Sequence, residues 1–452
     1  MAHRHARLAV APPSWRPAPP LARARASCAA VLLLCCLALA GCGGSAAPPS
    51  SPTQQAAQIR AISSTATPAP PSAAASSSQT AAAATGSASA KASAGAAPTA
   101  SAPDTVKIGL MAPFSGQAAA FGHDMLQGAQ LAIDDANAAN QLGGKRLVLD
   151  QGDDKADPTQ APTVARKLVA DGVAGVVGTA TSATTLASEQ TFDQAKVPLI
   201  APIAGDPAVT EQHLAYIFRA TGRWDQEGPL LANALSAQTK QIAIISDKAS
   251  YSQTIATAVN SALGSAGVQP LLNMPIDSGT QAADQFGGII STKLKPQPPG
   301  AVVYAGYAAE AGALAKQLAD AGLKPTLGLD DAALDQAFLK TAGPAAEGAM
   351  LAFPPDPAKA ASAAPVLAAY KQRFGTAASL YAISTYDSVR LLADALARAG
   401  STDGNAVQQA LASTSNFSGA YWGPMSFDAK HDLQAKTYVL WTVKAGKFEQ
   451  VP

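Results

Sequence analysis

No cysteine lies beyond residue 42, and no acidic residue lies before residue 104. The first absence excludes a disulfide and a cysteine nucleophile from most of the chain. Histidine is scarce as well. Beyond the first few residues it occurs only at His123, His213 and His431, far apart in sequence. There is no Gly-x-Ser-x-Gly turn and no His-Glu-x-x-His pair, and Gly172, Gly175 and Gly178 are wrongly spaced for a dinucleotide loop. The acids Asp153, Asp154 and Asp157 lack the Asp-x-Asp-x-Asp-Gly pattern of a calcium loop and read as a solvated turn. These absences predict a protein that is not an enzyme and uses neither cofactor nor metal.

Long apolar runs are missing too. The longest covers Cys28–Ala40, too short to cross a bilayer as a mature helix. It follows a segment with five arginines and no acid, and it ends in Leu39-Ala40-Gly41-Cys42. A basic segment, a short apolar run and small residues before a cut describe a secretory signal over residues 1–41. Leu-Ala-Gly-Cys resembles the lipobox of bacterial lipoproteins. That resemblance implies lipidation of Cys42 and an extracytoplasmic protein anchored to a membrane, in the periplasm or at the cell surface.

Residues 42–103 have no aromatic residue and only two charges, Arg60 and Lys91, in a background of Ala, Ser, Pro and Thr. Such a segment buries too little apolar surface to offset its ordering entropy. It is predicted to be a disordered tether with a span of roughly 40–50 Å. From Asp104 onward the balance of charge changes. All 31 acids but only 25 of the 32 bases lie there, a net charge of −6. That excludes nucleic acid and anionic lipid surfaces as the main partner of the folded part.

What is present after residue 104 is alternation. Val106–Met111, Arg146–Gln151, Gly175–Val177 and Val197–Ala201 read as strands, with helices from about Asp124 to Ala139, from Pro158 to Asp171 and over Leu186–Gln194. A second set follows: strands Gln241–Ser246, Leu271–Ile276, Ala301–Ala305 and Thr326–Leu329, with helices Gln253–Gly264, Asp284–Leu294 and Glu310–Ala321 between them. Helices Ala364–Phe374 and Leu380–Ala399 and two strand-like runs, Gly423–Phe427 and Thr437–Val443, complete the chain. Short links between alternating elements predict an α/β protein with parallel, doubly wound sheets. The number of strands predicts two lobes.

In such sheets ligands bind beyond the carboxyl ends of the strands. The stretch Gly175–Thr185 is the clearest example: a β-branched run breaks at Gly178, enters Ser and Thr residues, and leads into a helix. A helix start offers unpaired N–H groups and partial positive charge. Ser182, Thr184 and Thr185 would add hydroxyl donors, and a small carboxylate fits such a cradle. The same residues also fit a simple helix cap in a Ser/Thr-rich chain.

Residues 104–452 resemble the periplasmic leucine/isoleucine/valine-binding proteins of bacterial ABC importers. The marks run in order along the chain: Lys107–Leu110 with Phe114-Ser115-Gly116, Gln127–Asp134, Asp153-Asp154 with Asp157-Pro158, Val177-Gly178, Pro202, Ile244–Asp247 with Tyr251, Tyr304–Tyr307, and Gly343 with Glu347-Gly348. The resemblance implies a periplasmic binding protein of type I, with two lobes joined by a three-strand hinge. One lobe would hold 104–224 and 355–432, the other 225–354 and 433–452. It implies a small amino acid or related carboxylate as ligand, an ABC permease in the inner membrane as partner, and a monomer. It assigns Ser182 to the ligand carboxylate, Ile203, Ala204 and Gly205 to a backbone loop holding the ligand, and Asp330 to the ammonium. Phe121, Tyr251, Tyr307 and Tyr381 would surround the ligand side chain. Gly205 stands where a threonine is usual, and a disulfide common in close members would join the positions of Ala156 and Thr181, where both cysteines are absent. Taken alone, the tyrosines also fit core aromatics, and Asp330 with Asp331 a helix cap. A sensory or regulatory lipoprotein acting on a protein partner is the other role this fold implies.

Overall fold

The computed structural model describes residues 104–452. The signal segment, Cys42 and the linker lie outside the described residues. The first five strands are β1 Thr105–Ala112, β2 Arg146–Asp153, β3 Val176–Gly178, β4 Leu199–Ala201 and β5 Ile217–Arg219. They form one parallel sheet in the order β2-β1-β3-β4-β5. One face packs Ile108, Leu110, Val177 and Ile200 against Met125 of helix Ala119–Ala138 and Leu392 of helix Leu380–Ala399. The other face packs Met111, Val176 and Leu199 against Leu168 and Phe192. Covering both faces suits the apolar character of these strands, because a parallel sheet exposes neither side.

The second sheet contains β6 Ile242–Asp247, β7 Leu272–Ile276, β8 Ala301–Ala305, β9 Thr326–Leu329 and β10 Met350–Phe353. After a two-stranded ribbon, β11 Phe417–Ser418 with β12 Pro424–Met425, the chain returns to this sheet as β13 Val439–Lys444 and β14 Lys447–Gln450. The order is β14-β13-β10-β9-β8-β6-β7. The last two strands run antiparallel, so the tail adds a hairpin edge to an otherwise parallel sheet. Every residue of β6 and of β8 is buried.

The chain therefore passes between the two sheets three times: after β5, after β10 and before β13. Arg219 and Asp432 tie the first and third passages together through a 2.7 Å ion pair, and Arg223 reaches the other oxygen of Asp432 at 3.1 Å. Thr437 donates to the Gln226 side chain at 2.8 Å across the same passages.

Several elements differ from the sequence pattern. Helix Ser182–Gln194 begins four residues before Leu186, and helix Ala119–Ala138 begins five before Asp124. Strands β5, β10 and β14 and helix Gly404–Ala412 have no counterpart in the sequence reading, because segments this short give a hydrophobic period few residues in which to repeat. The run Gly423–Phe427 shortens to the two residues of β12. Asp154 is not solvated: it is fully buried beside Thr184, and burial pushes its carboxyl up to about 6. Among the described residues no helix is long and apolar enough to cross a membrane, and no cluster of His, Cys, Asp or Glu suits a metal ion.

Candidate functional site

The ends of β3 and β4 face the ends of β9 and β10 across a small cavity. Ala180, Thr181, Ser182 and Ile203 line it from the first sheet, together with Leu380 and Tyr381. Asp331, Ala332, Phe353 and Pro354 line it from the second. Thr221, Gly222, Trp224 and Tyr438, which belong to the passages between the sheets, close the sides.

Gly178 makes the first wall possible. Its φ is +152°, and a Cβ there would lie 2.3 Å from the Met111 carbonyl oxygen. The chain then turns into helix Ser182–Gln194, capped by Thr181, whose hydroxyl accepts from the Thr184 N–H at 3.2 Å. The Thr185 N–H goes to the Thr181 carbonyl at 3.1 Å. The capping leaves the N–H groups of the first two helical residues, Ser182 and Ala183, for a ligand. The Ser182 hydroxyl accepts from the Asp206 N–H at 3.2 Å, and its own proton remains to be donated.

The second wall is acidic. Glu227, Asp330 and Asp331 stand together at the end of β9. The Asp331 N–H donates to Glu227 at 2.9 Å, and the Tyr251 hydroxyl donates to the Asp331 carboxylate. The Asp330 carboxylate accepts from the Gly306 N–H at 2.7 Å, and its second oxygen is buried without a partner. One oxygen of Glu227 is likewise orphaned. Burial first, then the neighbouring carboxylates, pushes Glu227 and Asp330 well above the usual carboxylate range. Burial pushes Asp331 up to about 6, against the Tyr251 hydrogen bond that lowers it. Among the described residues no Lys or Arg pairs with any of the three. Such a cluster lacks a positive charge, which a ligand ammonium would supply.

The structure brings Ser182, Ile203 and Tyr381 of the predicted residues to the cavity. The others sit behind its wall. Phe121 backs Tyr381, ring centres 4.6 Å apart. Tyr251 lies between Trp224 at 4.9 Å and Tyr307 at 6.1 Å, so these tyrosines hold Asp331 and Trp224 in place from behind. The Ala204 carbonyl accepts from Arg219 at 3.1 Å. Thr184 is fully buried, its hydroxyl held by Thr179 at 2.5 Å and Thr181 at 2.8 Å, so it is not a donor to the cavity. Asp330 points to Gly306, and the neighbouring Asp331 takes the cavity position instead. Sequence reasoning missed Asp331, Trp224, Phe353 and Tyr438. The pair Asp330-Asp331 was visible, but which acid faces inward depends on a turn that no periodicity encodes.

The profile of the family described as periplasmic binding protein matches residues 105–447. The Leu/Ile/Val-binding protein homolog 1 of Brucella abortus is 32% identical over 343 residues, covering 75% of this chain and 91% of that protein. A putative branched-chain amino acid ABC transporter structure from Rhodospirillum rubrum superposes with a TM-score of 0.67 at 25% identity, covering 77% of this chain and 100% of the other. The substrate-binding protein LivJ of Streptococcus pneumoniae, solved in complex with isoleucine, gives a TM-score of 0.63 at 29% identity over 77% of this chain and 99% of that one. These are solute-binding proteins of extracytoplasmic type, not enzymes. The chain belongs to the periplasmic binding protein family, among its leucine/isoleucine/valine-binding members.

Proposed function

We propose that the cavity captures a small amino acid, branched-chain or related, and that the protein delivers it to an ABC permease in the inner membrane while held by a lipid on Cys42. The observation that carries this reading is the opposition of two unlike walls. A helix start with a free serine proton faces Asp331, behind which Asp330 and Glu227 stand with no Lys or Arg partner among the described residues, and apolar and aromatic groups fill the sides. A zwitterion satisfies both walls at once, and excluding water strengthens each charged hydrogen bond. The amino-acid ligands named for related proteins support the same class.

A thermal-shift screen of the purified chain against amino acids, their amides and small carboxylates tests it. A ligand at a hundred times its dissociation constant adds about 2.7 kcal/mol of stability. Shifts with leucine, isoleucine or valine are expected. Shifts confined to carboxylates without an ammonium would remove the amino-acid assignment. For the anchor, Cys42→Ser is expected to abolish acyl labelling and detergent partitioning; persistence of both would defeat the lipoprotein reading. Uptake of labelled leucine by cells lacking the protein is expected to fall, and unchanged uptake would argue against delivery to an importer.

A further inference from the structure

Gly205 and Trp224 occupy one space. A Cβ built on Gly205 would lie 2.4 Å from the Trp224 Nε1 and 2.6 Å from its Cδ1. The backbone conformation of Gly205 is not one that only glycine adopts, since it is absent from the positive-φ positions. The requirement for glycine is therefore the indole itself. The two residues are also joined through the backbone, the Trp224 N–H donating to the Gly205 carbonyl at 2.9 Å. Tyr251 fixes the ring from behind in an edge-on contact.

The indole lines the cavity beside Ser182 and Ile203. Among the described residues its Nε1–H has no protein acceptor, yet it is not one of the sealed, orphaned polar atoms, as the Nε1 of Trp422 is. The donor is therefore not sealed inside the protein, and it belongs to a residue that borders the cavity. An indole N–H only donates, so in a filled site it seeks an acceptor. The ligand carboxylate, held at the neighbouring Ser182 helix start, is the acceptor chemistry in reach.

We infer that the Trp224 indole N–H is a carboxylate donor and a specificity determinant of this site, with Gly205 as the residue that leaves room for it. This rests on the amino-acid reading of the cavity. A neutral donor on a charged acceptor contributes about 1.5–3 kcal/mol, so its loss corresponds to roughly 10- to 100-fold in affinity.

Calorimetry of the purified full chain with L-leucine and L-leucinamide tests the inference. Trp224→Phe keeps an aromatic ring but removes the donor. It is expected to weaken leucine binding roughly 10- to 100-fold and leucinamide binding no more than about threefold, because the amide lacks the carboxylate charge. Gly205→Ala, which displaces the indole, is expected to show the same selective loss. Equal losses for both ligands would mean that Trp224 only packs, and would overturn the inference. Unchanged leucine affinity in Trp224→Phe would overturn it as well while leaving the amino-acid reading intact. Failure of the parent chain to bind leucine would remove that reading and this inference together.

Discussion

Asp331 is under opposite demands in the empty and the filled cavity. Burial raises its carboxyl from 3.8 to about 6, because the charged form loses solvent, and the hydrogen bonds from Tyr251 and the Ala332 N–H offset only part of that. A folded-state value above the unfolded one means that the folded chain holds the proton more tightly. The folded chain thus gains stability as pH falls from about 6 toward 3.8 and loses that gain as pH rises through about 6. A ligand ammonium needs the carboxylate form. Leucine binding is therefore expected to strengthen as pH rises from 5 to 7.5 and to release a proton near pH 6, read by calorimetry in two buffers of different ionisation enthalpy. Asp331→Asn is expected to weaken binding by about 2–5 kcal/mol and to flatten that pH dependence. Asp330→Asn, whose partner is Gly306, is expected to leave affinity closer to the parent. An unaltered pH profile in Asp331→Asn would return the ammonium to Asp330, the residue that sequence reasoning chose. Both acids were legible in the chain; the orientation that separates them is a property of the turn after β9.

Helix Ser182–Gln194 shows the same partial legibility one level up. Its strand, its glycine break and its hydroxyl residues were all readable, and they lead to the helix start that lines the cavity. What the residue types could not reveal was where each hydroxyl is spent. Thr181 caps the helix, while Thr184 and Thr185 bond to Thr179 and to the Thr181 carbonyl. Ser182 alone of the four lies in the cavity wall with a proton to give. Thr181 and Ala156 also stand where relatives were expected to carry a disulfide. Here Ala156 donates its N–H to Asp154 at 2.9 Å, Asp154 lies beside Thr184, and Thr181 meets Thr184 at 2.8 Å. Polar contacts thus connect the two segments without a covalent bond. Thr181→Ala is expected to lower stability by about 0.5–2 kcal/mol in urea titration. Ser182→Ala is expected to cost about 1–3 kcal/mol of leucine affinity, less than Asp331→Asn, because the helix N–H groups remain. If Ser182→Ala lost stability and kept affinity, its hydroxyl would serve Asp206 alone.

At the scale of the whole molecule the question is how a ligand enters. The cavity walls belong to both sheets, and Tyr381, Ser182, Trp224 and Tyr438 are each no more than 8% exposed. Parting of the lobes would open these groups to a ligand of amino-acid size, and among the described residues the three passages between the sheets are the covalent links about which the lobes can part. The Arg219–Asp432 pair binds two of those passages and is wholly internal to the fold. Its partners are separated by 213 residues, which is why no local pattern announced it. The Arg219 guanidinium also holds the Ala204 and Asp206 carbonyls at 3.1 and 2.6 Å, so the hinge and the loop behind the cavity share one anchor. Arg219→Met is expected to cost about 3–5 kcal/mol of stability by leaving Asp432 buried with a weaker partner, measured by chemical denaturation. Parting and closing should also be visible directly. Contacts to both walls exist only when the lobes are together, so ligand shifts the population toward the closed form. Small-angle scattering is expected to give a smaller radius of gyration with saturating leucine than without it, and the difference should vanish in Asp331→Asn at the same leucine concentration. A radius that is unchanged by leucine in a chain shown by calorimetry to be saturated would mean that the lobes do not move, and that the ligand reaches the cavity by side-chain motion at Tyr381 and Tyr438 instead.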